Sequence, residues 1–197
     1  MHGSILMALR RHVVASFGPE TWDALLVDVG TPGRLFTSLT DYPDRDVLAL
    51  VGAASTRLGV DGSDVLRGFG RSLVTDLLAT YGSLVSTSWT AFDLLEHTES
   101  TIHTVVRARN PGARPPVLTA LRRGPELVSL TYSSSRQLCA LAQGIVLGIG
   151  DRFGTPLQVH EPQCMHKGAA AWRLEVLPAF VAPRPREELP TQVSPGR

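Results

Sequence analysis

The chain has 197 residues, 43% of them hydrophobic and 19% charged, with a net charge of +1. That balance is ordinary for one soluble globular domain, and it gives no global field to draw the protein onto nucleic acid or an acidic membrane. Two cysteines allow at most one disulfide, which excludes a disulfide scaffold, and no apolar run reaches the ~18 residues of a membrane span. The start, MHGSILMALRRHVV, lacks the apolar core and cleavage site of a signal peptide, so the expected location is the cytoplasm, with no membrane or nucleic-acid partner.

In chain order, SILMALRRHVVASFG carries Ile5, Leu6, Leu9, Val13 and Val14 at the spacing of one helix face, and Gly18-Pro19 stops it. PETWDALLVDVG predicts a second short helix. A third is expected to be capped by Asp44 and to end near Gly59. The fourth takes Ser63 or Asp64 as its cap and shows a stripe of Val65, Phe69, Leu73 and Leu77. WTAFDLLEHTESTIHTVVRARNPG predicts one further helix, closed by Asn110-Pro111-Gly112.

The pattern then changes. PVLTAL and ELVSLTYSSS read as strands joined by a turn at RRGP. RQLCALAQGIVLGIGDRFG predicts a helix with Leu138, Leu141, Ile145 and Ile149 on one face, and PLQVHEPQC and AAAWRLEVLPAFV give a second strand pair around MHKGA. A helical half followed by four short strands predicts an α+β fold with an antiparallel sheet. The domain is expected over residues 1–182, with the proline-rich, charged stretch 183–197 a disordered tail.

Strand alternation sends Val128, Leu130, Tyr132, Ser134 and Arg136 to one face. That face runs from apolar packing into a phenol, a hydroxyl and a guanidinium. A guanidinium fork matches a carboxylate bidentately, and two hydroxyls beside it offer donors for a second acid. Upstream, His103 lies between Ile102 and Val106 on a largely apolar stripe, with no acidic residue at its immediate neighbours. One imidazole opposite a clasp for two acids matches what a haem requires: an axial nitrogen and donors for two propionates.

Here the sequence resembles the haem nitric oxide/oxygen binding (H-NOX) domains, the sensor fold shared with soluble guanylate cyclase. Tyr132, Ser134 and Arg136 match the family's Y-x-S-x-R propionate motif. His103, followed by Pro115 and Pro116, matches its axial histidine, and Gly3, Gly18 and Trp22 match its opening pattern. The resemblance implies about seven helices and a four-stranded antiparallel sheet, with haem b buried between a distal helical part and a proximal part. It implies His103 as the axial iron ligand, with Pro116 pressed against the macrocycle. The distal wall is expected from Ile5 and Leu9 on the first helix and from Leu141 and Ile145 after the clasp.

Leu141 falls where oxygen-holding relatives carry a tyrosine donor. An aliphatic wall favours nitric oxide, tolerates carbon monoxide and binds oxygen poorly, unless Tyr81 or Tyr42 intrudes. The implied function is sensing without catalysis. Nitric oxide on ferrous iron weakens the iron–His103 bond, and the signal passes to a separate protein such as a histidine kinase or a cyclic-di-nucleotide enzyme.

Some relatives bind zinc near the last strands, where this chain offers Cys139, His160 and Cys164. A closed zinc site needs four ligands, and the family's last cysteine position is Trp172 here, leaving His166 as the substitute. Zinc is therefore not the favoured expectation; a redox-sensitive thiol at Cys164 is the other reading. His97 competes with His103 only from another helix face, and His2 and His12 are expected in solvent. Asp44 or Asp46 is expected to pair with Arg136. The alternatives to a haem sensor are a haem-free relative acting as an interaction or redox module, or a vinyl-reductase-like ligand domain, whose hairpin resembles KGAAAW.

Overall fold

The computed structural model describes residues 1–110, 112–165 and 168–179, so the expected tail and His166 lie outside the described residues. Among the described residues, seven α-helices and four strands follow the anticipated order. Helix α1 (Gly3–Phe17) stops at Gly18, whose φ of 88° favours glycine, and Pro19 opens α2 (Pro19–Asp28). Helix α3 (Asp44–Leu58) begins at Asp44 itself, with Pro43 in the cap position, so Asp44 caps nothing and its carboxylate is free for other work. Helix α4 (Gly62–Tyr81) is capped by Asp61, which accepts from Ser63 N–H at 2.7 Å, not by Ser63 or Asp64.

The expected single helix over 89–112 is a composite. Helix α5 (Ala91–His97) starts with a reciprocal capping box between Thr90 and Asp93. A π-helical turn, Thr98–His103, follows, and α6 (Thr104–Arg109) completes the path. Strands β1 (Val117–Gly124) and β2 (Leu127–Ser133) form a hairpin, helix α7 (Cys139–Arg152) crosses, and β3 (Leu157–Gln163) and β4 (Trp172–Pro178) form the second. All pairings are antiparallel, in the order β1-β2-β4-β3.

Two cores result. One, among α1–α4, centres on Leu6, Trp22, Leu25, Leu50 and Phe69. The other lies under the sheet, where Val128, Leu130, Tyr132, Trp172, Leu174 and Val176 meet α5 and α7. Ile145 touches both. They are joined along a seam of Gly70, Gly144 and Gly148, where α4 and α7 approach backbone to backbone. No helix among the described residues is long and apolar enough to cross a membrane.

Candidate functional site

A cavity of about 540 Å³ lies between the two cores, and the expected clasp and histidine meet in it. Tyr132 reaches it from the end of β2, paired across the sheet with Leu118 and Trp172 and edge-on to the Trp172 ring. Burial pushes the Tyr132 hydroxyl above its ordinary pKa, so it stays a donor at neutral pH.

The strand ends one residue later, so alternation alone does not deliver the other two groups. A tight turn does. Gln137 N–H donates to the Ser134 carbonyl at 3.2 Å, Arg136 N–H donates to Ser134 Oγ at 3.2 Å, and Gln137 takes φ +50°, rare outside glycine. Arg136 Nε then donates to Asp44 Oδ2 at 2.9 Å and Nη1 to the Arg114 carbonyl. Partial burial raises the Asp44 pKa, but the Met1 nitrogen and Arg136 outweigh it and hold the carboxyl below its usual range. Asp46 binds Arg34 instead, at 2.9 Å, which decides between the two carboxylates.

His103 faces the same cavity from the π turn, beside Pro115 and Pro116. Its Nδ1 lies 2.9 Å from Glu99 Oε2, leaving Nε2 as the nitrogen available to the cavity. Burial holds the ring below its ordinary pKa against the opposing pull of Glu99, so it presents a neutral imidazole. Glu99 is the functional neighbour the sequence reading missed. It stands four residues before His103, a spacing that brings side chains together along a helix. His97 is elsewhere: it stacks on Trp89 at 4.6 Å, outside the cavity lining.

The facing wall is aliphatic apart from Tyr81, one of the two tyrosines that could intrude, which does reach the cavity lining. Ile5, Leu73, Val74, Leu77, Leu141 and Ile145 line it, with Tyr81 at the C-terminal end of α4. Leu9 does not; one turn further along the stripe it shares with Ile5, it is buried in the helical core and lines a separate cavity of about 420 Å³. Tyr42 packs against Phe36 away from the wall. His2 and His12 are not simply solvated: His2 caps α1 and lines the cavity, and His12 packs on Phe69.

The donor set suits a flat apolar group carrying a metal and two acids. His103 offers an imidazole nitrogen and the clasp a guanidinium and two hydroxyls; the rest of the lining is mainly hydrocarbon, with His2, Ser4, Asp41, Tyr81, Thr98, Asn110 and Arg114 as its other polar members. The zinc residues are less convergent. Cys139 is buried, with its thiol pushed up to about 11 by burial, while exposed His160 lies 3.4 Å from Glu175. Trp172 fills the core and donates to Glu161 at 2.6 Å. Among the described residues no group of three or more His, Cys, Asp and Glu side chains is gathered to hold a metal ion.

The fold is that of solved H-NOX structures. An H-NOX protein from Shewanella oneidensis in the Fe(II)NO state is 26% identical, with a TM-score of 0.84, covering 91% of this chain and 100% of that one. The Fe(II) unliganded H-NOX protein from K. algicida is 19% identical at a TM-score of 0.79, covering 92% and 98%, and the I5F mutant of the T. tengcongensis protein is 21% identical at 0.80, covering 91% and 100%. No sequence among curated proteins matches the chain. The family model described as Haem-NO-binding matches residues 2–161. The chain belongs to the haem-NO-binding, or H-NOX, family.

Proposed function

We propose that this protein is a haem-based sensor of nitric oxide that also takes carbon monoxide and binds oxygen poorly. The observation that carries the reading is one cavity with a neutral imidazole on one wall, the Tyr132–Ser134–Arg136 clasp at its edge and an aliphatic wall opposite. When bound, haem b supplies a ferrous iron able to take a diatomic gas. His103 Nε2 would hold that iron. Arg136, aimed by Asp44, and the hydroxyls of Tyr132 and Ser134 hold the two propionates. Pro116, which lines the cavity with His103, would pack against the bound group.

Ile5, Leu141 and Ile145 exclude water and offer no hydrogen bond to a bound gas. Oxygen gains negative character on binding and needs such a donor, whereas nitric oxide does not. The solved Shewanella oneidensis relative in its Fe(II)NO state supports the choice of ligand. A weaker hold on His103 would free the π turn and α6 to shift between two positions that a second protein distinguishes. That partner is a histidine kinase or a cyclic-di-nucleotide enzyme in the cytoplasm, and the protein acts through binding, not catalysis. Residues 1–182 form the sensor, and 183–197 lie beyond it.

The test is the absorbance of the ferrous, haem-loaded protein under argon, air, carbon monoxide and nitric oxide, beside His103→Ala. The expected result is a five-coordinate haem that ignores air and responds to both other gases, with loss of that spectrum in the variant. Stable oxygen binding would sink the ligand assignment. Failure to hold haem would favour a haem-free interaction module.

A further inference from the structure

Glu99 has three donors on two oxygens. Oε2 lies 2.9 Å from His103 Nδ1 and accepts from Leu118 N–H at 3.0 Å, while Oε1 accepts from Arg107 at 2.6 Å. His103 and Arg107 belong to the helical path carrying Glu99, but Leu118 belongs to β1, the edge strand. Leu118 pairs with Tyr132 of the clasp and stands two residues beyond Pro116. Its N–H points out of the sheet to the carboxylate.

A carboxylate accepting from the far nitrogen of a ligating imidazole does two things. It fixes the tautomer and ring plane, and it raises the basicity of the ligating nitrogen. Here the same oxygen also grips a sheet backbone. The imidazole is therefore fastened to β1 whether or not its other nitrogen is engaged, and rotation of its helix must break or drag that bond.

We propose that Glu99 is a positioning residue that strengthens His103 as an iron ligand and couples its movement to strand β1. This rests on the reading that His103 holds haem iron. Glu99 then sets how readily the iron–His103 bond yields to nitric oxide, and it carries the displacement into the hairpin that bears Tyr132.

The test uses the full-length ferrous protein loaded with haem, as wild type, Glu99→Gln and Glu99→Ala, with circular dichroism to verify the fold. Resonance Raman reads the iron–histidine stretch and spectroelectrochemistry the midpoint potential. The stretch is expected to fall, and the potential to rise, from wild type through Gln to Ala. Haem loss should quicken on the order of tenfold in the alanine variant. Arg107→Met, which leaves the imidazole contact in place, should move the stretch far less than Glu99→Gln. If Glu99→Ala does not fold, the isosteric Gln variant carries the comparison. Wild-type stretch and potential in a Gln variant that still holds haem would overturn the proposal while leaving the sensor reading intact. Absence of any iron–histidine band in the wild type would instead remove the His103 assignment, and this inference with it.

Discussion

Adding one methyl group to this protein should have opposite effects at two helical glycines. At Gly144, in α7, a Cβ would lie 2.9 Å from the Arg67 carbonyl carbon and closer still to its oxygen, and these are backbone atoms of α4 that cannot swing aside. Forcing the helices apart costs roughly 2–3 kcal/mol, the upper part of the overpacking range, because the atoms met are backbone. The better helix propensity of alanine returns up to about 1 kcal/mol. The net loss of about 1–2 kcal/mol corresponds to a fall of roughly 2–8 °C in Tm for a chain of this size. At Gly52, in the middle of α3, nothing lies within 4 Å of the added carbon and the residue is exposed. There only propensity acts, and Gly52→Ala should gain about 0.5–1 kcal/mol. Thermal melts of both variants, haem-loaded and monitored by circular dichroism, make the comparison. Leu141 and Ile145 flank Gly144 on the cavity wall, so Gly144→Ala should also perturb the haem absorbance, which Gly52→Ala should leave alone. Shifts of the same sign in both variants would refute the claim that backbone contact across the seam decides the outcome.

Two further predictions concern the wall and the α5 cap. Leu141→Tyr places a hydroxyl donor on the aliphatic wall and should convert a protein indifferent to air into one with an oxygen-bound absorbance spectrum; an unchanged spectrum in air would mean that Leu141 does not face the gas. Asp93 is held below its usual pKa first by the Thr90 N–H and hydroxyl and then by Arg122. Its stabilising contribution is therefore present above the unfolded value near ~3.9 and lost as pH falls through the lower folded value. The Tm gap between wild type and Asp93→Asn should be constant above about pH 5 and close below about pH 4; a gap that widens in acid contradicts the sign.

What the sequence disclosed followed from local periodicity. Helix order, the two hairpins and the Tyr132–Ser134–Arg136 motif are read from neighbouring residues, and the sheet register places Tyr132 where alternation put it. The misreadings have different causes. Asp61, Ser63 and Asp64 are all good caps, and only the chain's entry angle chooses Asp61. Arg136 and Asp44 are 92 residues apart, so their pairing depends on how α3 lies against the turn after β2. Leu9 shares an apolar stripe with Ile5, yet the stripe is wide enough to serve the core and the cavity separately. Glu99 was within reach at four residues from His103, but inspection of adjacent positions alone passes over it.

The π turn at Thr98–His103 makes segment length as much a constraint as residue type. A π turn holds one more residue than an α turn does, and each residue advances a helix by about 100°. Forcing the segment into α geometry with its residue count unchanged would rotate His103 relative to α5 and swing it away from the cavity, even with every side chain of the site retained. Insertions and deletions should therefore be far less tolerated in this half-dozen positions than substitutions at its exposed Ser100. Redesign that regularises the helix would produce a sounder helix with its imidazole facing the wrong way.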